Sequence, residues 1–140
     1  MSALDREILA LCREVTAKVI LPRYQNLQQG EVEDKGGNDP VTIADREAEA
    51  MLFEGLAKLD PGVGLVGEEA AYADPAVLDH LSGSCWIVDP VDGTRAFIAG
   101  LPLWCVLIGL RHQGRPVLGS IGQPYLGEIY LGSSAGSRLI

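Results

Sequence analysis

Trp86-Ile87-Val88-Asp89-Pro90-Val91-Asp92-Gly93-Thr94 is the stretch on which the reading of this chain turns. Trp86, Ile87 and Val88 form a short apolar run that suits a buried strand. Pro90 has no N–H to donate and is expected to end the ladder. Asp89 and Asp92 then project from the strand's C-terminal end across a tight turn, and Gly93 lets the backbone approach a ligand. Thr94 opens a short helix, Thr94 to Ala99, stopped by Gly100. Two carboxylates beside a helix start suit a hard divalent cation, and the free N–H groups of that start suit a phosphate. A metal next to a phosphate is a working plan for phosphate-ester hydrolysis. A plainer reading stands beside it: Asp-Pro and Asp-Gly are ordinary turn dipeptides, and Asp caps helices. The stretch alone does not choose between them.

Upstream, Leu4, Ile8, Leu11, Val15 and Val19 recur at helical spacing, so an amphipathic helix is expected from Leu4 to Ile20. Ser2 and Asp5 supply its capping pair, and Pro22 ends or kinks it. Gln28 to Pro40 is a polar turn or hairpin whose one positive charge is Lys35; a solvated loop and a lid over the site are both open readings. Thr42 and Asp45 cap a second helix with Ala44, Ala48, Met51, Leu52, Leu56 and Leu59 inward, stopped by Pro61-Gly62. Read alone, Asp45 is a capping residue. Gly64 to Gly67 is a short strand followed by Glu68 and Glu69. Adjacent acids are usually surface, yet a strand ending in acids repeats the layout at Asp89, and two such strands side by side would bring their carboxylates together.

Downstream, Asp74 to Leu81 reads as a short surface helix, Trp104 to Leu110 as an apolar strand, and His112 to Gly114 as a turn. Val117 to Gly122 and Ile129 to Leu131 read as further strands of an antiparallel meander. Two helices followed mainly by strands give an α+β class, with the helices packed on one face of a sheet.

The 140 residues suffice for one domain with a real core, and 47% hydrophobic content argues against disorder. A net charge of −8 disfavours nucleic acid and anionic membrane surfaces as partners. It leaves room for a small phosphorylated metabolite whose charge is neutralised locally by a metal. The uncharged run Ala96 to Leu110 is too short to span a bilayer, and the charged, amphipathic N-terminus is no secretory signal. Cys12, Cys85 and Cys105 lack metal spacing and read as reduced, mostly buried residues of a cytoplasmic protein. If Glu68, Asp89 and Asp92 converge, each pair of charges 4 Å apart repels by roughly 4 kcal/mol, so cations or protons must intervene. Mg²⁺, with Mn²⁺ as substitute, is the natural partner, and the absence of nearby His or Cys argues against zinc.

With these residues in place, the chain resembles the inositol monophosphatase superfamily of Mg²⁺-dependent, lithium-sensitive phosphatases. The resemblance is carried by Asp39-Pro40-Val41-Thr42-Ile43-Ala44-Asp45, by Gly67-Glu68-Glu69 and by Asp89-Pro90-Val91-Asp92-Gly93-Thr94. Asp39 to Glu47, Phe97 to Pro102 and Arg115 to Glu128 look most like the histidinol-phosphate phosphatase branch. The resemblance implies the N-terminal half of an αβαβα sandwich over residues 1–140. It implies Glu68, Asp89 and the Val91 carbonyl as ligands of a first metal, and Asp89 and Asp92 as ligands of a second. Asp45 and Thr94 would orient and deprotonate the attacking water, and the Gly93 and Thr94 N–H groups would bind phosphate. The family's later Trp-Asp block, which completes the second metal site, is absent, so these residues alone are expected to bind Mg²⁺ weakly and turn over poorly. Histidinol phosphate is the expected substrate, with an inositol, sugar or nucleotide phosphate as the alternative. A non-catalytic folding or dimerisation module is the reading from another class. The apolar strand Trp104 to Leu110 leads to a homodimer as the expected assembly.

Overall fold

The computed structural model describes residues 1–140. Helix α1 (Ala3–Val15) begins where the sequence places a cap. Ser2 Oγ accepts the Asp5 N–H at 3.0 Å, and Asp5 Oδ2 accepts the Ser2 N–H at 2.8 Å. The buried stripe is Ile8, Leu9, Cys12 and Val15, with Leu11 and Val19 only half-buried. The helix expected to run to Ile20 changes pitch: Thr16–Ile20 is a π-helical turn, and Leu21–Arg23 is a 3₁₀ turn around Pro22. Residues five apart diverge on a regular helix, whereas the wider turn lets both Val15 and Ile20 point inward at 0% exposure.

The polar segment is a hairpin. Strand β1 (Val32–Asp34) pairs antiparallel with β2 (Pro40–Thr42). Helix α2 (Ile43–Leu59) starts directly from β2 through a second capping box at Thr42 and Asp45. Its inner face is Ala44, Ala48, Leu52 and Leu56, and it also buries Asp45 and Glu49. Met51 and Leu59, expected inside, are half-buried.

Six strands form one sheet in sequence order: β3 (Gly64–Gly67), β4 (Cys85–Asp92), β5 (Cys105–His112), β6 (Arg115–Gln123), β7 (Glu128–Ser133) and β8 (Gly136–Leu139). β3 and β4 are parallel, joined through helix α3 (Glu68–Ala73) and a 3₁₀ helix, Pro75–Ser82. Every other neighbouring pair is antiparallel. The α+β expectation therefore holds, with one parallel pair in a mainly antiparallel sheet. Pro90 does not end the ladder. It interrupts it: pairing stops at Asp89↔Leu107 and resumes at Asp92↔Cys105, leaving Pro90 and Val91 in a bulge.

Alternation along the strands gives the sheet one buried face. Trp86 and Val88, Val106 and Ile108, Leu118, and Ile129 and Leu131 all join the core cluster formed with α1 and α2. Each such side chain contributes about 1.5–3 kcal/mol on burial. Short helix α4 (Thr94–Ile98) is anchored by Phe97, whose ring meets Trp104 edge-on at 5.0 Å and Tyr24 at 5.5 Å. On the opposite face Ile121 and Tyr130 are 44% and 43% exposed. No helix is long and apolar enough to cross a membrane.

Candidate active site

The parallel pairing of β3 with β4 decides the site. Gly67 lies opposite Val88, so Glu68 and Asp89 leave adjacent strand ends on the same side. The bulge at Pro90 and Val91 then carries Asp92 to the same edge. Glu68, Asp89, Asp92, Thr94, Asp39 and Arg95 line one cleft of about 240 Å³.

Asp89 is the strained member. One of its oxygens, Oδ1, is buried without a hydrogen-bond partner. Burial first, then the charges of Glu68 and Asp92, push its carboxyl up to about 8. An orphaned carboxylate oxygen among further carboxylates fits a hard, oxygen-seeking cation. Glu68, Asp89 and Asp92 do not close on a single point as three side-chain ligands of one ion would. The arrangement implied by the sequence does not ask for that: one ion would take Glu68, Asp89 and the Val91 carbonyl, and the other Asp89 and Asp92. Neither set contains three acidic side chains. The Cys105 thiol, 3.7 Å from Asp92 Oδ2, is pushed up to about 11, first by burial and then by Asp92.

Asp45 and Thr94 meet as expected, though they come from α2 and α4. The Thr94 hydroxyl lies 3.0 Å from Asp45 Oδ1 and 3.1 Å from the Val91 carbonyl oxygen, so its one proton faces two acceptors. Asp45 Oδ2 accepts the Thr42 N–H at 2.9 Å and the Thr42 hydroxyl at 2.6 Å. One Asp45 oxygen therefore caps its own helix and the other reaches Thr94. At 1% exposure it is fixed in place. Gly93 adopts φ +93°, and a Cβ there would lie 2.6 Å from the Leu103 carbonyl oxygen, so only glycine fits beneath the turn.

Lys35 is not solvated. Its side chain is 4% exposed, and its Nζ lies 3.3 Å from Glu69, 3.5 Å from Asp39 and 3.8 Å from Glu68. Burial alone would lower its pKa, but these carboxylates outweigh burial and hold it above the usual lysine value. The Tyr72 hydroxyl donates to the Lys35 carbonyl at 2.6 Å, and the ammonium sits 5.1 Å from the Tyr72 ring centroid. The β1–β2 turn is thus tied to α3 beside the cleft. Arg95, which donates to the Asn38 carbonyl, ties it to α4. His80 and His112 line no part of the cleft.

Glu49 was not legible as a site residue. It is 4% exposed and reaches the start of α3, where the Glu69 and Ala70 N–H groups donate to it at 3.0 and 3.3 Å. The available signal was its place one helical turn after Asp45, an acid on an otherwise apolar face.

Residues 3–138 match the family model described as "Inositol monophosphatase family". A histidinol-phosphatase of Chlorobaculum parvum is 44% identical over 128 residues, covering 90% of this chain and 46% of that protein. An inositol-1-monophosphatase of Mesorhizobium japonicum is 42% identical over 116 residues, covering 83% of this chain and 41% of that protein. Among solved structures, the extragenic suppressor protein suhB from Bartonella henselae superposes with a TM-score of 0.84 at 30% identity, over 99% of this chain and 52% of its own. The chain spans about half the length of the relatives it matches.

Proposed function

We propose, from the premise that the chain belongs to the inositol monophosphatase family, that its cleft serves a Mg²⁺-dependent phosphomonoesterase acting on a small phosphorylated metabolite. The observation that carries this reading is Asp89. A carboxyl with an unpartnered buried oxygen, set between Glu68 and Asp92, is an unfavourable arrangement for a protein that binds no cation.

Glu68, Asp89 and the Val91 carbonyl would hold one Mg²⁺, and Asp89 and Asp92 would share a second; Mn²⁺ would substitute. When bound, the ions supply charge neutralisation on the phosphoryl group and lower the pKa of water. The remaining steps belong to the chain. The Gly93 and Thr94 N–H groups, at the start of α4, receive phosphate oxygens. Thr94 Oγ1 orients the attacking water and takes its proton while passing its own to Asp45 Oδ1, 3.0 Å away. Thr42 holds Asp45 through its other oxygen, so the acceptor is already aimed. Attack on phosphorus is in line, the departing alkoxide takes a proton from solvent water and leaves as the alcohol, phosphate follows, Asp45 returns its proton to solvent, and no bond forms between enzyme and phosphorus.

Histidinol phosphate is the first substrate choice, supported by the likeness to the Chlorobaculum parvum histidinol-phosphatase. An inositol phosphate is the second, supported by the likeness to the Mesorhizobium japonicum inositol-1-monophosphatase. A homodimer is the proposed assembly, supported by the exposed apolar side chains of the outer sheet face. A phosphate-release screen with Mg²⁺, run on a longer chain that spans the relatives' length, against histidinol, inositol and nucleotide phosphates tests the substrate, and release from inositol phosphate only would move the assignment. A Mn²⁺ titration tests the centre itself: no binding at any pH would overturn the reading.

A further inference from the structure

We propose that Glu49 is a positioning residue for the acidic cleft, fixing from α2 the direction in which Glu68 leaves the start of α3; this rests on the reading of Glu68 as a cation ligand. A helix start leaves N–H groups without intrahelical partners, and a side chain at the N-cap normally serves one of them. The N-cap of α3 is Gly67, which has no side chain to offer. Glu49 serves instead, from a different helix: Oε2 accepts the Glu69 N–H at 3.0 Å and Oε1 accepts the Ala70 N–H at 3.3 Å. Gly67 and Glu49 form one device, since a Cβ at Gly67 would lie 1.5 Å from Glu49 Oε1. Only a glycine lets the carboxylate in, and the carboxylate does the work the glycine cannot.

Two oxygens on two successive N–H groups fix the first turn of α3 in rotation as well as in place. Glu68 is the first residue of that turn. A rotation of α3 there would swing Glu68 away from Asp89. Glu49 itself does not line the cleft, so it acts through Glu68 and not on a ligand. Stability alone is a poor reason for the choice. Burial disfavours the charge of Glu49 most, the Ala70 and Glu69 N–H groups offset part of that, and the neighbouring charges of Glu69 and Glu68 add to it, so its carboxyl stays above the usual range.

The test measures Mn²⁺ affinity of the 140-residue chain from the spectroscopic signal of free Mn²⁺. Glu49→Gln keeps the shape but turns one acceptor into a donor facing an N–H. It should weaken Mn²⁺ binding by about 10-fold or more, the usual cost of removing a group that orients a metal ligand. Gly67→Ala pushes the same carboxylate away from the other side and should weaken binding by a similar factor. Leu56→Val, at the far end of α2, lowers the unfolding temperature but should change the affinity by no more than about twofold. Near-wild-type affinity in Glu49→Gln and Gly67→Ala overturns the proposal, and so does an equal loss in Leu56→Val, which would reduce Glu49 to general stability. Asp89→Asn separates the two levels. If it abolishes binding while the Glu49 and Gly67 variants bind normally, the positioning role alone falls. If Asp89→Asn binds Mn²⁺ like the wild type, the cation reading falls and takes this proposal with it.

Discussion

Replacing Asp89 with asparagine should make the chain more stable and, at the same time, blind to divalent cations. In the folded chain the Asp89 carboxyl is raised from 3.8 to about 8, first by burial and then by Glu68 and Asp92. At pH 7 and without divalent ions, the folded chain keeps that proton while the unfolded chain has released it. Holding a proton across the interval from 3.8 to pH 7 costs at most about 4 kcal/mol of folding stability. Asp89 is half-buried, so screening by water reduces this to about 1–2 kcal/mol. Asparagine is neutral in both states, incurs none of this cost, and its amide can donate to Glu68. Urea unfolding at pH 7 in a chelator should therefore show the variant more stable by about 1–2 kcal/mol. Added Mn²⁺ should raise the wild-type midpoint and leave the variant's unchanged. A variant less stable than the wild type in chelator, or one that Mn²⁺ stabilises equally, would refute the reasoning.

Without divalent ions, thermal stability should fall as pH rises from about 4 to about 8, because the raised Asp89 carboxyl, joined by Glu49 and Glu69, binds protons in the folded chain that the unfolded chain has lost. A series of melting temperatures in chelator that is flat or rising over that window would contradict it. Gly93→Ala should cost about 2–5 kcal/mol in denaturant unfolding, from a left-handed backbone at φ +93° and a Cβ 2.6 Å from the Leu103 carbonyl oxygen; a loss below about 1 kcal/mol would show that the turn relaxes. In a complete enzyme that carries these residues, Thr94→Ala should lower kcat by about 10²–10⁴ with little change in Mn²⁺ affinity, and an affinity loss at unchanged kcat would reverse its assignment. In the same titration Asp89→Asn should weaken Mn²⁺ binding more than Asp92→Asn, since Asp89 is assigned to two ions; equal effects would count against sharing.

What the sequence disclosed is what short-range rules govern. Both capping boxes, at Ser2–Asp5 and Thr42–Asp45, follow from residue types at fixed spacing, and both formed. Two apolar runs that each end in acids, Gly64 to Glu69 and Trp86 to Asp92, pointed to strands with converging carboxylates, and the parallel pair realises that. The features that stayed hidden depend on partners far along the chain. Glu49 takes no role from short-range rules, because its partners, the Glu69 and Ala70 N–H groups, meet it only when α3 is laid against α2. Lys35 reads as a loop charge until Glu68 and Glu69 surround it. Pro90 lacks a donor, which predicts a break but not that pairing resumes at Asp92. Strand β8 has no apolar alternation in Gly136-Ser137-Arg138, so backbone pairing with β7 alone defines it.

The inner face of α2 bears on how this sequence can drift. Its C-terminal half shows Leu52 and Leu56 to a packed interior, where another aliphatic side chain of similar volume is a modest change. Its N-terminal half shows Asp45 and Glu49, each holding a different helix by specific hydrogen bonds. In a library varying every α2 position, the two halves should part company. Leu52 and Leu56 should accept a handful of hydrophobic replacements, while at Asp45 and Glu49 even the matching amide, equal in size and shape, should be rejected wherever function is selected. Both acids also cap a helix, so a chain under selection for folding alone would keep a polar acceptor at these sites, and persistence of the charge itself among descendants would mark lineages in which the cleft is still in use.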